Sequence, residues 1–189
     1  MTNIVINLIK EILIVLALQD EFCMETYKKL SGFEASFENR AVCSAVINEA
    51  LMHEVKPIRA LSVTWAESRM TSQLKPTSSN CIGPMQIKIK YWCKNKKLKS
   101  CEPIKDGVKA LKYYIKRFKP IRKAYCYYND ARKPECKEDY MSGYVKKIVK
   151  TYGKIKKIAR KNKFKHLEIF WRAIYIIILY NILWRPQWI

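Results

Sequence analysis

The chain has 189 residues, which is enough for one domain with a sizeable core and too few for two domains of ordinary size. Lysine and arginine number 37 against 16 acidic residues, and the formal charge of +21 favours polyanionic partners, although a lysine-biased composition explains the imbalance equally well. Seven cysteines are many for a cytosolic enzyme, and the absence of any Cys-x-x-Cys pair argues against a structural zinc site and favours disulfides.

Residues 1–40 are interpreted as an N-terminal apolar helix with a lead-in to the main domain. The stretch 4–18 is mostly apolar, but Lys10 and Glu11 interrupt it and no basic cluster precedes it, so it is a poor secretory signal. It is also short for a membrane span. Its polar residues fall on one side of a helical wheel, so an amphipathic packing helix is as favoured as an atypical export or anchor signal.

Residues 41–160 are predicted to form one all-α domain, because nothing in this range alternates with the period of a strand. Helices are expected over 41–55 and from Pro57 to about residue 70, since proline suits the first turn of a helix. Asp106 is expected to cap a further helix that Pro120 ends, with its apolar face formed by Val108, Leu111, Ile115 and Phe118. The inward residues of a last helix are expected to be Val145, Ile148, Tyr152, Ile155 and Ala159.

Four of the cysteines bracket short loops of this domain. Cys93 with Cys101, and Cys126 with Cys136, each enclose a segment that a crosslink would tie down, although the spacing is compatible with other connectivities. The odd number of cysteines leaves at least one thiol free. Burial as small apolar side chains is the alternative role for any of them.

Residues 161–189 are interpreted as an apolar and aromatic tail. Residues 169–184 contain only Arg172 and Asn181 as strongly polar members, and a lysine-rich tract from 146 to 165 precedes them. A basic flank beside an aromatic-rimmed apolar stretch is typical of segments that lie on or enter a membrane. A final helix that packs on the core or on a neighbouring subunit is an equal alternative.

An ordered set of short motifs carries the functional signal: Glu67-Ser68, Gly83-Pro84-Met85-Gln86, Tyr128-Asn129 and Tyr144-Val145. Glu67 is expected near the C-terminal end of an apolar helix, where unpaired carbonyls and partial burial both raise the pKa of a carboxyl group. A raised pKa lets a glutamate hold a proton near neutral pH and act as a general acid. Taken alone, a glutamate at a helix end is more often a surface residue.

The order and spacing of these motifs resemble the catalytic domain of the soluble lytic transglycosylases, a branch of the lysozyme-like superfamily that cuts the glycan strands of peptidoglycan. The resemblance covers roughly residues 42–152. Pro84 stands where the family usually has leucine, the alanine expected before Tyr128-Asn129 is missing, and Asn80 replaces a usual glycine. Asparagine is the substitute best able to accept a left-handed backbone. The subset of the family associated with envelope-spanning secretion and phage entry is matched by Cys101, Ile104 and Gly107.

The resemblance implies a lysozyme-like fold and a mechanism with one catalytic carboxyl group. Glu67 would protonate the bond between N-acetylmuramic acid and N-acetylglucosamine, the acetamido group of the substrate would stabilise the cation, and Glu67 would then take the proton of the C6 hydroxyl. The product would carry a 1,6-anhydromuramyl end. A hydrolytic lysozyme is the alternative if folding brings a second acid near Glu67, and the candidates are Asp130, Glu135, Glu138 and Asp139.

The resemblance also implies substrate-binding roles for further residues: sugar contacts for Met85 and Gln86, a hydrogen bond to the acetamido or C6 region for Asn129, support of Glu67 or of a sugar ring for Tyr128 and Tyr144, and support of the following loop for Ser68. Each role has a structural alternative. Met85 and Tyr144 would otherwise fill the core, and Ser68 would otherwise only terminate a helix.

No cofactor and no metal are expected, because His53 and His166 are far apart in sequence and unsupported by acidic partners. The expected partners are peptidoglycan glycan strands, a membrane surface for the basic C-terminal tail, and proteins of a virion or secretion complex. No specific nucleic acid is expected, since the lysines form no recognition motif. The expected location is the cell envelope, the periplasm or a virion. The alternative outside the enzymes is a cationic module that binds membranes, nucleic acid or structural proteins.

Overall fold

A computed structural model describes residues 2–130, 136 and 142–161, with the backbone alone for residues 2–12. The predicted all-α class is confirmed, because these residues form seven α-helices and a single antiparallel pair of two-residue strands. The helices are α1 (Thr2–Ser31), α2 (Phe37–Met52), α3 (Pro57–Ser68), α4 (Ile89–Trp92), α5 (Pro103–Arg117), α6 (Ile121–Asn129) and α7 (Gly143–Lys161), and the strands are β1 (Cys81–Ile82) and β2 (Ile87–Lys88). Except for Lys161, the predicted apolar tail lies outside the described residues.

Helix α1 packs on the main domain instead of standing apart from it. Val15 and Phe22 are buried in the same core as α2 and α3, and α1 contacts both α2 and α7. The Gln19 amide donates hydrogen bonds to the Ser44 carbonyl at 3.1 Å and to Asn48 Oδ1 at 3.2 Å. From residue 13 onward one face of the helix therefore packs on the core, while the apolar side chains of Leu13, Ile14, Leu16 and Leu18 are exposed. Within the described part of the chain, no helix combines the length and apolarity needed to cross a membrane.

The boundaries of α2 and α3 follow from local capping. Helix α2 begins at Phe37, earlier than predicted, because Ser36 and Asn39 form a reciprocal capping box that satisfies two backbone amides. The boundary expected at residue 40 thus falls inside α2. Helix α3 begins at Pro57 as predicted, since the missing amide hydrogen of proline costs nothing in the first turn.

Helix α5 also begins earlier than predicted, and Asp106 is not its N-cap. The helix starts at Pro103, and Asp106 lies at the end of its first turn, where its carboxylate accepts a hydrogen bond from the Glu102 amide at 2.9 Å. Asp106 therefore satisfies an orphan amide from inside the helix. Of the predicted apolar face, Val108 and Leu111 are fully buried and Ile115 is partly buried, whereas Phe118 lies just beyond the helix, which ends at Arg117, before Pro120.

The disulfide predictions are confirmed and extended. Cys93 pairs with Cys101, and Cys126 pairs with Cys136. A third disulfide, Cys23–Cys43, joins α1 to α2 and was not anticipated. Cys81 is the free thiol that the odd count required.

Helix α7 closes the core. Four of the five residues predicted to face inward are buried, and Tyr152 is partly buried. The neighbouring helix α3 lies between α2 and α7 and is buried along most of its length. A second, small apolar cluster joins the sheet to α4 through Ile82, Ile87, Ile89 and Cys93. The space between the end of α3 and this smaller unit is the cleft described next.

Candidate active site

A cleft of about 840 Å³ lies beside the C-terminal end of α3. The strands, α4, α5 and α6 supply its other walls. Four residues of the predicted site line it together: Glu67, Gln86, Tyr128 and Asn129. These residues are spread over more than sixty positions of sequence, so the fold brings the first three motifs to one place.

Glu67 lies in the last turn of α3, with its carboxyl group partly buried at the cleft wall. The Tyr144 hydroxyl, from the first turn of α7, donates a hydrogen bond to Glu67 Oε1 at 2.5 Å. Burial raises the pKa of Glu67 to about 7, against the bond from Tyr144 and the charge of Lys147, which both lower it. The loss of hydration therefore outweighs the two favourable contacts, and the group is poised to exchange a proton near neutral pH.

The end of α3 is fixed by its own backbone and by hydrogen bonds from two other helices. Arg69 and Met70 adopt left-handed conformations, with φ of 55° and 62°, and stop the helix just after the Glu67-Ser68 motif. The Asn39 side chain donates to the Met70 carbonyl at 3.1 Å, and the Lys147 ammonium donates to the Ala66 carbonyl at 2.7 Å. These bonds fix the backbone that carries the carboxyl group.

Ser68 acts on this backbone and does not line the cleft. Its hydroxyl donates to the Thr64 carbonyl at 3.2 Å, one turn earlier in α3. Its own carbonyl accepts a hydrogen bond from the Thr71 hydroxyl at 2.8 Å. Ser68 thus braces the last turn of α3 and anchors the loop that follows.

The Gly83–Gln86 turn presents Gln86 to the cleft in a left-handed conformation, with φ of 49°. Both the backbone amide and the side-chain amide of Gln86 donate to the Gly83 carbonyl at 2.9 Å. Gly83 itself has φ of 78°, and a Cβ there would lie 2.2 Å from the Cβ of Pro103. This position therefore requires glycine for both conformation and space. Asn80, at 57°, adopts the left-handed conformation expected of it.

Met85 lies in the core and not on the cleft wall. Its side chain is fully buried against Gly107, where a Cβ would approach the Cβ of Met85 to 2.7 Å. The Met85 carbonyl accepts a hydrogen bond from the Tyr128 hydroxyl at 2.9 Å. The Met85 side chain, which was expected to contact a sugar, therefore fills the core instead. The turn directs it inward, whereas the Gln86 side chain faces the cleft. Tyr144 does not line the cleft either, and its hydroxyl donates a hydrogen bond to Glu67.

One wall of the cleft is aromatic. Of its residues, only Tyr128 was predicted as part of the site from the sequence. Its rings contact one another edge to face, with centroids 5.6 Å apart for Trp92 and Tyr113 and 5.2 Å apart for Tyr113 and Tyr114. The wall consists of Tyr91, Trp92, Tyr113, Tyr114, Tyr127 and Tyr128. The only sequence signal was three aromatic pairs at 91–92, 113–114 and 127–128, whose common location depends on the packing of α5 against α6.

Two further charged residues, Lys88 and Asp130, line the cleft. Asp130 follows α6 and is a second carboxylate in the cleft that holds Glu67, whereas the other three predicted acids, Glu135, Glu138 and Asp139, lie outside the described residues. The free thiol of Cys81 also faces the cleft, and burial raises its pKa, which keeps it protonated.

His53 lies away from the cleft and, contrary to expectation, beside an acid. Its Nε2 is 3.3 Å from Glu49 Oε2, one turn earlier, and burial lowers its pKa in spite of that carboxylate. His166 falls outside the described residues. No group of three histidine, cysteine or acidic side chains suited to a metal ion occurs in the part of the chain that the structure describes.

Comparisons with family models, with curated proteins and with solved structures returned no match to this chain.

Proposed function

We propose that this protein is a peptidoglycan lytic transglycosylase that cleaves the β-1,4 bond between N-acetylmuramic acid and N-acetylglucosamine. The observation that carries the proposal is Glu67, a partly buried carboxyl group with a pKa of about 7 that opens into a cleft shared with Gln86 and Asn129. The motif order described above supports the same assignment. A general acid for glycosidic cleavage needs this combination of a retained proton and access to the substrate.

The proposed reaction uses one carboxyl group twice. Protonated Glu67 gives its proton to the glycosidic oxygen as the bond to C1 of muramic acid breaks, and the acetamido oxygen of the same sugar bonds to C1. The carboxylate then takes the proton of the C6 hydroxyl while O6 attacks C1 and displaces the acetamido oxygen. The 1,6-anhydro ring forms without water, and Glu67 ends protonated again. Tyr144 suits the intermediate stage, because its hydroxyl donates to the carboxylate.

The remaining walls of the cleft suit an amino-sugar polymer. Gln86 and Asn129 offer amide groups for acetamido and hydroxyl contacts, and the rings of Trp92 and Tyr113 offer apolar surface for sugar faces. Clefts of this kind combine apolar area with a few placed polar groups. No cofactor enters the proposal.

A lysozyme-like hydrolase is the second candidate, and the observation that favours it is Asp130. Its carboxylate lines the same cleft as Glu67, and a second acid would activate a water molecule in the two-carboxylate scheme. The two candidates differ in product: the hydrolase leaves a reducing muramic end, and the transglycosylase leaves an anhydro end.

The proposed setting is local opening of the wall for a phage particle or an envelope-spanning machine, in the cell envelope, the periplasm or a virion. The basic residues of α7 and the apolar tail beyond residue 161 would hold the enzyme at a membrane surface. Fractionation of the full chain and of a chain lacking residues 170–189 tests this placement. Loss of the membrane fraction on truncation supports it, and an unchanged distribution contradicts it.

Digestion of purified sacculi tests the activity, with the released fragments identified by mass spectrometry. We expect 1,6-anhydromuramyl ends from the parent and a rate lower by roughly 10²- to 10⁴-fold for Glu67→Gln, which keeps the shape of the side chain and removes the acid. Glu34→Gln is the matched control, because the Glu34 carboxylate is exposed and does not line the cleft, and it is expected to retain full activity.

Three outcomes would count against the proposal. Reducing ends in place of anhydro ends assign the hydrolase. An inactive parent, or a Glu67→Gln variant as active as the parent, removes the catalytic assignment and leaves the cationic binding module.

A further inference from the structure

The segment between Cys93 and Cys101 concentrates positive charge beside the cleft. Four of its seven enclosed residues are lysines, and all four are exposed: Lys94, Lys96, Lys97 and Lys99. The nearest acid in sequence is Glu102, whose carboxylate accepts a hydrogen bond from the Lys105 ammonium at 2.9 Å and forms an ion pair with it. Within residues 2–130, 136 and 142–161, none of the four lysines takes part in an ion pair. We call residues 93–101 the lysine loop.

The lysine loop is an ordered structure and not a loose run of charge. The disulfide closes it, and two short 3₁₀ turns follow each other inside it at Lys94–Lys96 and Leu98–Ser100. The Ser100 hydroxyl donates to the Lys97 carbonyl at 2.8 Å and also to the Lys94 carbonyl. A backbone that is already fixed loses little conformational entropy when its side chains bind a partner.

The base of the lysine loop belongs to the cleft wall. Trp92, which directly precedes Cys93, lines the cleft and contacts Tyr113. Cys93 and Cys101 pack in the small apolar cluster with Ile82 and Ile87, which joins the loop to the two strands. Lys88, on β2, brings one further positive charge into the cleft itself. A polymer lying in the cleft therefore passes next to the loop.

We propose that the lysine loop binds anionic groups carried by the glycan strand in the cleft, either the carboxylates of its stem peptides or the phosphates of polymers linked to it. This inference rests on the proposed function. Carboxylate and phosphate share the chemistry that exposed ammonium groups recognise, and both recur along a wall polymer. The location beside the cleft favours this partner over a membrane, whose flat surface would not enter the cleft, and the lysines are not accompanied by a nucleic-acid recognition motif.

Binding to sacculi tests the proposal without turnover, in full chains that carry Glu67→Gln. The loop variant carries Lys96→Gln, Lys97→Gln and Lys99→Gln. The matched control removes the same charge from exposed positions of α7, with Lys150→Gln, Lys154→Gln and Lys157→Gln. A third variant, with arginine at the three loop positions, keeps the charge. Co-sedimentation is measured over a series of salt concentrations.

We expect the loop variant to bind sacculi about 3- to 30-fold more weakly at low salt, since exposed ion pairs are individually weak and three are removed. Its salt dependence should be flatter than that of the parent, and the arginine variant should bind like the parent. The control should change affinity by less than about twofold, because none of its three lysines lines the cleft.

Treated sacculi identify the anion. If the loop contacts carboxylates, the difference between parent and loop variant disappears after an amidase removes the stem peptides. If it contacts phosphates, the difference disappears after extraction with hydrofluoric acid. Equal losses in the loop variant and the control, a difference that survives both treatments, or a loss of binding to anionic vesicles with sacculus binding intact would each overturn the proposal. Failure of the proposed function is read separately, from the absence of anhydro products in the active parent.

Discussion

The two sides of the cleft are built on different physical principles. The acid side consists of Glu67 at the end of α3 with Tyr144 and Lys147 from α7, and its polar groups are held by short hydrogen bonds. The aromatic side consists of partly exposed rings on α4, α5 and α6, of which Tyr113 is 44% exposed. Proton transfer depends on the environment of one group, whereas polymer binding depends on available area. Substitutions on the acid side should therefore change the pH dependence of the reaction, and substitutions on the aromatic side should change substrate affinity.

Opposing contributions set the proton affinity on the acid side. Burial raises the pKa of Glu67, and the Tyr144 hydroxyl and the Lys147 charge each lower it. Removing the Tyr144 hydroxyl or the Lys147 charge should therefore raise the pKa of Glu67 further. Removing the carboxyl group itself should abolish the pH dependence that it causes.

The largest effect is expected from Glu67→Gln on stability at alkaline pH. Glu67 has a pKa of about 7 in the folded protein against 4.5 as its ordinary value, so the folded state holds the proton over this interval after the unfolded chain has lost it. The stability associated with protonated Glu67 is complete below pH 4.5 and is lost as the pH rises through 7. Above that pH the parent carries a buried carboxylate that costs on the order of 3 kcal/mol.

Urea denaturation at pH 4 and at pH 8.5 measures this cost. Glu67→Gln should raise the free energy of unfolding relative to the parent only at the higher pH, whereas Glu34→Gln should show no such difference. An equal change at both pH values would mean that the Glu67 carboxyl group is well hydrated.

A smaller effect is expected from Tyr144→Phe, which removes the donor to Glu67 Oε1 and keeps the ring. A hydrogen bond to a charged group contributes about 1.5–3 kcal/mol, so the carboxylate becomes less stable and the pKa of Glu67 rises. Because the first step needs the protonated acid, the alkaline fall in kcat/KM should move to higher pH. Tyr152→Phe, on the same helix, is the control. An alkaline limb that stays in place would show that Tyr144 only fills space.

Tyr113→Ala is expected to weaken substrate binding by roughly 3- to 10-fold, since a stacking contact with an aromatic ring contributes about 0.5–1.5 kcal/mol. The loss should appear in KM, with kcat and the pH profile unchanged, and Tyr113→Phe should retain most of the binding. Phe33→Ala, at an exposed ring outside the cleft, serves as the control. A shifted pH profile would contradict the separation of the two sides.

The smallest effect is expected from Lys147→Met. Its charge favours the ionised form of Glu67 through partly solvated space, so its removal should raise the pKa of Glu67 by less than Tyr144→Phe does. NMR titration of the glutamate carboxyl signal measures this directly, independent of activity. Lys146→Met, at the next exposed position, should leave the titration unchanged. A lower pKa in Lys147→Met would reverse the proposed sign.

Features that depend on near neighbours in sequence were largely predictable. Pro57 began its helix as expected, Asn80 took the left-handed conformation, and two of the three disulfides close the loops that their spacing suggested. The errors were also local in origin. The start of α2 was missed because its capping box uses Asn39 in place of the more common glutamate or glutamine, and Asp106 satisfies an amide from inside the turn instead of before it.

The helical class follows from the periodicity of the amino-acid sequence, and Glu67 was singled out as the candidate acid by the resemblance of the motifs around it. The groups that meet at the site are set by tertiary packing. Tyr144 reaches Glu67 across 77 positions of sequence, the Met85 side chain turns into the core, and three helices assemble the aromatic wall. The pKa of a carboxyl group depends on how much water its neighbours exclude, and that quantity arises from the packing of α3 against α7.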